Sequence, residues 1–119
     1  MIQGRVNASG EPVVAITIHG AARRTRISLI LDTGFTGHVC LARRHRRAMS
    51  LTRLGDIETE LADGTRLTQP VYAGVVTFDG ERRRVLVTLT DSTDSLLGTA
   101  LLRSKRVTID FPRAHLTIR

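Results

Sequence analysis

Short segments of alternating apolar and polar residues, each bounded by glycine or proline, constrain the fold of this chain more than any other feature. Residues 13–18 are largely β-branched, follow Gly10-Glu11-Pro12 and stop before Gly20. Residues 26–31 repeat the pattern and place one set of apolar side chains on a shared face: Ile27, Leu29 and Leu31. Such alternation with turn residues at both ends is typical of half-buried β-strands.

Two tight hairpins are predicted further along the chain. Asp63-Gly64 lies between residues 57–61 and 66–68, and Asp79-Gly80 lies between residues 72–78 and 84–89. Asp-Gly between alternating segments is a strong hairpin signal. Further short strands are predicted at 39–41, 107–111 and 116–118, and short helices at 42–49 and 99–102. Because no β-α-β alternation appears, we predict an all-β fold, a small closed or partly closed barrel with one or two short helices.

The composition indicates one domain, residues 1–119, with a core built from aliphatic side chains. The 119 residues are 41% hydrophobic, but Tyr72 and three Phe are the only aromatic residues. Cys40 is the single cysteine, which excludes an intramolecular disulfide and favours a reducing compartment. No secretory signal pattern and no apolar run of about 20 residues is present. We therefore predict a cytoplasmic protein with no membrane partner.

The formal charge of +7 raises the alternative of nucleic-acid binding. Arginines cluster at positions 43, 44, 46 and 47 and again at positions 82–84. No aromatic residue is interleaved with either cluster, so the stacking platform of single-strand binders is missing. We interpret both clusters as solvated basic faces. The four histidines show no metal-ligand spacing, so no metal and no cofactor are predicted.

Asp32-Thr33-Gly34 directly follows the apolar strand of residues 26–31, which places its carboxylate on a rigid element. The tripeptide alone is weak evidence, since Asp and Gly are ordinary turn residues. With its flanks, however, Leu29-Ile30-Leu31-Asp32-Thr33-Gly34-Phe35-Thr36-Gly37 resembles the active-site segment of retropepsin-like aspartic proteases. Residues 12–20, Leu96-Leu97-Gly98 and residues 107–111 resemble, in order, the first long strand, the apolar-apolar-Gly motif and the terminal strand of that family.

The resemblance implies a small closed acid-protease barrel with a flap hairpin at about residues 57–72 and a homodimer that cleaves peptide or protein substrates. Asp32 would be the catalytic residue, supported in its loop by Thr33 and Gly34. The flap tip and the residues after the loop would bind substrate: Ala62, Asp63, Gly64, Thr65, Phe35 and His38.

Metal-free peptide hydrolysis needs a base to activate water and an acid to protonate the leaving group. Two adjacent carboxyl groups that share one proton supply both the base and the acid, as they do in aspartic proteases. Asp91 and Asp94 are the nearest candidates for a second copy of the motif, but neither is followed by the required Gly. The second carboxylate is therefore expected from Asp32 of a second subunit.

The sequence departs from the retroviral pattern where that pattern pairs an acidic residue with an arginine. Those places hold Gly37, His38 and Thr99 here, so the ion pair that supports the retroviral dimer is absent. An alternative on the same fold is a non-catalytic dimeric module that binds a peptide or another partner.

Overall fold

The computed structural model describes the backbone of residues 1–119 and the side chains of all of them except Ala48. Ten strands follow one another along the chain: β1 (Ile2–Val6), β2 (Pro12–His19), β3 (Arg24–Leu31), β4 (Val39–Ala42), β5 (Thr52–Glu60), β6 (Arg66–Phe78), β7 (Glu81–Thr90), β8 (Ser95–Leu97), β9 (Val107–Asp110) and β10 (His115–Ile118). Two 3₁₀ turns, Arg43–His45 and Thr99–Leu101, and one helical turn, α1 (Arg46–Met49), complete the chain.

Six of the strands close into a barrel, which confirms the predicted all-β architecture. The order β6-β7-β4-β8-β3-β2 is closed by antiparallel pairing of β2 with β6, where Ile18 lies opposite Val76. The predicted face of β3 points into this barrel, since Ile27, Leu29 and Leu31 are each at most 5% exposed. Burial of these aliphatic side chains is the main favourable contribution to folding. No helix in the part of the chain described here is long and apolar enough to cross a membrane.

Strand β6 is longer than the sequence indicated. Residues 66–68 and 72–78 were expected as separate strands, but they form one strand of 13 residues that runs through Pro70. Pro70 lies opposite Asp56 of β5, before the pairing of β6 with β7 begins at Tyr72. Proline is tolerated in a strand where one side has no ladder to complete. The flap hairpin and the barrel wall are therefore one continuous element.

The predicted helix at residues 42–49 is interrupted. Ala42 is the last residue of β4, and a 3₁₀ turn precedes the single helical turn α1. Ser50 then adopts a left-handed conformation with φ of 47°, which ends the helix. Met49 is fully buried and anchors this short segment to the barrel.

The two chain ends pair with each other beside the barrel. Strand β1, which was not predicted, pairs with β10 from Ile2 opposite Ile118 onward, and also with β2. Strand β9, from the predicted terminal segment, pairs with β10 and lies at the end of the strand order. The terminal strands are thus assembled within one chain, with β9 outermost.

Asp79 links the second hairpin turn to the region before β9. Asp79 and Gly80 have φ of 51° and 80°, as a two-residue hairpin turn requires. The Lys105 Nζ atom lies 2.8 Å from Asp79 Oδ2, and the Met1 amino group contacts the other oxygen. Hydrogen bonds from Lys105 and from the amino group hold the pKa of Asp79 below its usual value.

We expect Asp79→Asn to lower the thermal midpoint by a few degrees at pH 7. Asn-Gly also favours this turn, so the substitution removes the charge and leaves the backbone preference. Because the carboxyl pKa is lowered on folding, its stabilisation is present above the unfolded pKa and is lost as the pH falls through the folded one. The difference in melting temperature between wild type and Asp79→Asn should therefore shrink as the pH is lowered from 7 to below about 3.9, the ordinary pKa of an Asp side chain. Asp91→Asn, whose ion pair with Arg43 involves an 87% exposed side chain, should change little at either pH.

Candidate active site

Asp32 leaves the barrel at the end of β3 and lies in a structured turn. Its backbone N–H donates to the carbonyl of Leu97 in the parallel neighbour β8, at 3.0 Å. Its Oδ1 atom accepts a hydrogen bond from the N–H of Gly34 at 2.8 Å, and its carbonyl accepts one from Phe35 N–H at 3.1 Å. The side chain is partly exposed. The carboxylate is therefore oriented by the loop and remains accessible.

The Asp32 loop is attached to the segment after β8 by three backbone hydrogen bonds. Gly98 N–H donates to His38 O at 2.9 Å, Thr99 N–H to Phe35 O at 2.9 Å, and Ala100 N–H to Gly37 O at 3.1 Å. The two segments approach so closely that a Cβ on Gly98 would lie 2.1 Å from the Gly37 carbonyl oxygen. The Leu96-Leu97-Gly98 motif thus packs directly against the loop.

A cleft of about 740 Å³ separates the Asp32 loop from the stem of the flap hairpin. Of the expected site residues, Gly34, Phe35 and His38 line it. Asp32 does not line it in the single described chain. Ile57 and Thr59 of β5 also line the cleft, because residues two apart on a strand lie on the same face. The structure therefore brings together the loop and the flap stem, with Asp32 beside them.

The flap tip is ordered by its own hydrogen bonds but lies outside the cleft lining. Thr65 N–H donates to Asp63 Oδ1 at 2.9 Å, and Leu61 N–H donates to the Thr65 carbonyl at 2.7 Å. The bond from Thr65 holds the pKa of the Asp63 carboxyl below its usual value. All four residues 62–65 are exposed, as is Thr33. Substrate contact by Ala62, Asp63, Gly64 and Thr65, and loop support by Thr33, stay predictions.

His38 lies in the wall of the cleft. Its Nδ1 atom is 3.4 Å from the backbone N–H of Leu86 in β7, which donates to it. Burial lowers the pKa of His38, and the charges of Arg83 and Arg103 lower it further. The imidazole is therefore neutral at pH 7, with its remaining proton on Nε2.

Several lining residues were not among the site residues expected from the sequence. Glu60, Gln69, Arg103 and Cys40 all border the cleft. Gln69 donates to Thr59 Oγ1 at 3.1 Å and so joins the two strands of the flap stem. Alternation along β5 could have identified its cleft face, but nothing local marks Arg103. Cys40 is half-buried.

Several arginines of the two basic clusters contact the protein itself. Arg43 pairs with Asp91 at 2.7 Å, the Arg44 guanidinium contacts the Thr93 carbonyl, and the Arg46 guanidinium lies 5.4 Å from the Tyr72 ring centre. Arg83 donates to the Leu101 carbonyl at 3.1 Å. Nucleic-acid binding through these clusters stays an untested alternative. Among the residues described, no group of three or more His, Cys, Asp or Glu side chains is arranged to hold a metal ion.

Comparison with known proteins finds likeness at the level of structure. No family model and no curated protein matches the sequence. A retropepsin-like aspartic protease from Rickettsia conorii is similar with a TM-score of 0.68 and 17% identity, over 98% of this chain and 88% of that one. EIAV protease, in a complex with the inhibitor HBY-793, gives a TM-score of 0.60 and 18% identity over 82% and 90% of the two chains.

Simian foamy virus (mac) protease is also similar, with a TM-score of 0.54 and 15% identity over 75% of this chain and 91% of that one. The three proteins are similar to this one in overall fold, although their sequences differ from it at more than four aligned positions in five. The chain therefore has the fold of the retropepsin-like aspartic proteases.

Proposed function

We propose that this protein is a homodimeric aspartic endopeptidase in which Asp32 of each subunit activates water for peptide-bond hydrolysis. The observation that carries the proposal is the Asp32 loop, held by three backbone hydrogen bonds to the segment after β8 and bordering a cleft under a flap. The retropepsin-like fold supports the same assignment. Residues 1–119 act as one domain that supplies half of the active site.

The proposed chemistry needs no cofactor. Two Asp32 carboxyl groups that face each other share one proton, because like charges at short distance cannot both ionise easily. The ionised carboxylate takes a proton from the attacking water as its oxygen bonds to the peptide carbon, and the protonated carboxyl donates its proton to the carbonyl oxygen, which gives a tetrahedral diol. As the C–N bond breaks, the carboxyl that took the water proton gives it to the leaving nitrogen. The other carboxylate recovers a proton from a hydroxyl group of the diol, so the pair again shares one proton. The Gly34 N–H bond to Oδ1 orients each carboxylate and restricts its rotation.

A second subunit is required because one chain offers one such carboxylate. Asp91 and Asp94 lie in an exposed loop after β7, and Asp91 pairs with Arg43. Thr33 is exposed beside Asp32, where contact with a partner subunit is possible without rearrangement of the barrel. A two-fold axis beside this loop places the two carboxylates together.

The substrate in this proposal is an extended peptide. The long flap hairpin closes over the cleft and excludes water, and the peptide adds strand-like backbone hydrogen bonds there. We include a cytoplasmic location in the proposal, because the single Cys40 leaves no need for an oxidising compartment.

Mixing of subunits tests both the activity and the shared site. Wild-type protein is combined with Asp32→Asn protein, left to exchange subunits, and assayed for cleavage of a peptide library at mildly acid pH. If each site needs two Asp32 carboxylates, an equal mixture has about a quarter of the activity of wild-type protein at the same total concentration. That quarter is the fraction of dimers with two wild-type subunits. The control replaces the variant with Asp94→Asn, an exposed loop residue, and should keep full activity.

Three results would contradict the proposal. Wild-type protein that cleaves no peptide is not an endopeptidase, and peptide binding without cleavage would favour the non-catalytic binding module. A loss of activity in direct proportion to the variant fraction would mean that each subunit works alone.

A further inference from the structure

The lining of the cleft includes a positively charged side chain, Arg103. Arg103 and His38 line it together with the loop, and Glu60, on the flap stem, is the single acidic lining residue among those described. Arg83 does not line the cleft, but its charge acts on His38 together with that of Arg103. The cleft thus has one arginine, Arg103, in its lining, and the charge of a second, Arg83, also acts on the neutral imidazole of His38.

Arg103 has no carboxylate partner among the described residues. The ion pairs of the chain involve other arginines, and Glu60 takes part in none of them. An arginine without a counter-charge beside a cleft keeps its donors available for a ligand. Guanidinium groups bind carboxylates through two parallel hydrogen bonds, which makes this interaction selective as well as favourable.

The position of Arg103 is fixed to the Asp32 loop through backbone contacts. It lies two residues after the 3₁₀ turn Thr99–Leu101, in which Ala100 bonds to Gly37 of the loop and also lines the cleft. Arg83 donates to the Leu101 carbonyl in the same turn at 3.1 Å. The position of a substrate group bound by Arg103 is therefore set relative to the Asp32 loop.

We propose that Arg103, next to His38, forms an acid-selecting subsite that binds an Asp or Glu side chain of the substrate peptide. This inference rests on the proposed function, and it specifies the substrate class of the same cleft. Arg103 donates to the carboxylate, and the Nε2–H of His38 provides a further donor. Glu60 lies on the flap stem, where its negative charge repels an acidic substrate side chain. Selectivity for acidic residues is therefore expected on the loop side of the cleft, at Arg103.

Peptide binding tests this subsite independently of cleavage. The protein used is Asp32→Asn, which binds without turnover, and the probes are extended octapeptides with both ends capped, so that the one carboxylate is a Glu side chain. Glu is placed at each position in turn and compared with Gln and Lys at the same position by fluorescence anisotropy. We expect Glu to bind about fivefold more tightly than Gln at one position, as a partly solvated charge pair allows.

A second substitution identifies the group responsible. Adding Arg103→Gln should remove the Glu preference, and Arg103→Glu should reverse it in favour of Lys. Arg113→Gln, in the turn between β9 and β10 with an 85% exposed side chain, is the matched control and should keep the preference. The preference should also shrink at high salt because exposed charges are screened.

The subsite proposal is wrong if Glu and Gln peptides bind equally at every position, if neither binds, or if the preference survives Arg103→Gln. Failure of the proposed function has a different signature: Glu-selective binding that depends on Arg103, with no cleavage by the wild-type protein. The two inferences are therefore separated by the same set of peptides.

Discussion

Replacing Asp32 by Asn in every subunit is expected to lower kcat for peptide cleavage about a thousandfold, within the range that general acid-base catalysis contributes. The amide can neither take the proton of the attacking water nor return one to the leaving amine. Its oxygen can still accept the hydrogen bond from Gly34 N–H, which Asp32 Oδ1 accepts at 2.8 Å. The loop should therefore keep its shape, and the loss should be chemical.

The measurement is the initial rate of cleavage at mildly acid pH, with a thermal melt of the same sample. Wild type and Asp32→Asn should melt within a degree or so of each other, because the substituted side chain is partly exposed and isosteric. Asp91→Asn serves as the control for removing a loop carboxylate and should cleave at the wild-type rate. Cleavage by Asp32→Asn at an undiminished rate would assign the activity to another residue or to a contaminant.

Local sequence patterns predicted the parts of the fold that depend on neighbouring residues. The Asp79-Gly80 turn is an example, since its two positive φ angles are what the residue types favour. The buried face of β3 is another, because alternation places Ile27, Leu29 and Leu31 on one side of any strand. These features need no knowledge of the rest of the molecule.

Features that depend on contacts between distant segments could not be predicted in this way. Barrel closure requires Ile18 to pair with Val76, and β1 exists because Ile2 pairs with Ile118. Nothing within residues 2–6 indicates that partner. Residues 66–68 and 72–78 were predicted as separate strands, yet β6 continues through Pro70, where it pairs with β5 and not with β7.

The candidate site also combines residues that a local pattern predicts with residues that only contacts between distant segments bring there. Asp32 could be identified because its motif is contiguous and follows a strand. Arg103 could not, since the 3₁₀ turn before it brings it to the cleft through bonds to Gly37 and Arg83. In the proposed dimer the second carboxylate comes from another subunit, so the sequence of one chain does not give its geometry.

Replacing Gly98 by Ala is expected to destabilise the protein by about 3 kcal/mol, at the upper end of the cost of overpacking. The backbone of Gly98 has φ of −97° and ψ of 171°, which any residue can adopt, so the cost is steric. The added Cβ would lie 2.1 Å from the Gly37 carbonyl oxygen and 2.7 Å from the Phe35 ring. Relief requires the Asp32 loop to move away from β8.

That displacement should also affect catalysis. A shift of about 1 Å in a catalytic group can cost about a hundredfold in rate, so kcat of the folded Gly98→Ala protein should fall by about that factor. Urea denaturation gives the stability, and cleavage well below the denaturation midpoint gives kcat for the folded fraction. Both measurements are needed because loss of folded protein alone would also lower the observed rate.

Gly20→Ala is the matched control for a steric clash that spares the cleft. A Cβ at Gly20 would lie 1.8 Å from the carbonyl oxygen of Met49, the last residue of α1, and neither residue lines the cleft. This variant should lose comparable stability and keep kcat per folded molecule. If Gly98→Ala behaved the same way, the loop would tolerate its displacement, and the hydrogen bonds from Gly98, Thr99 and Ala100 would stabilise the fold without positioning Asp32. A loss of kcat confined to Gly98→Ala would instead show that catalysis depends on how tightly this glycine lets the two segments approach.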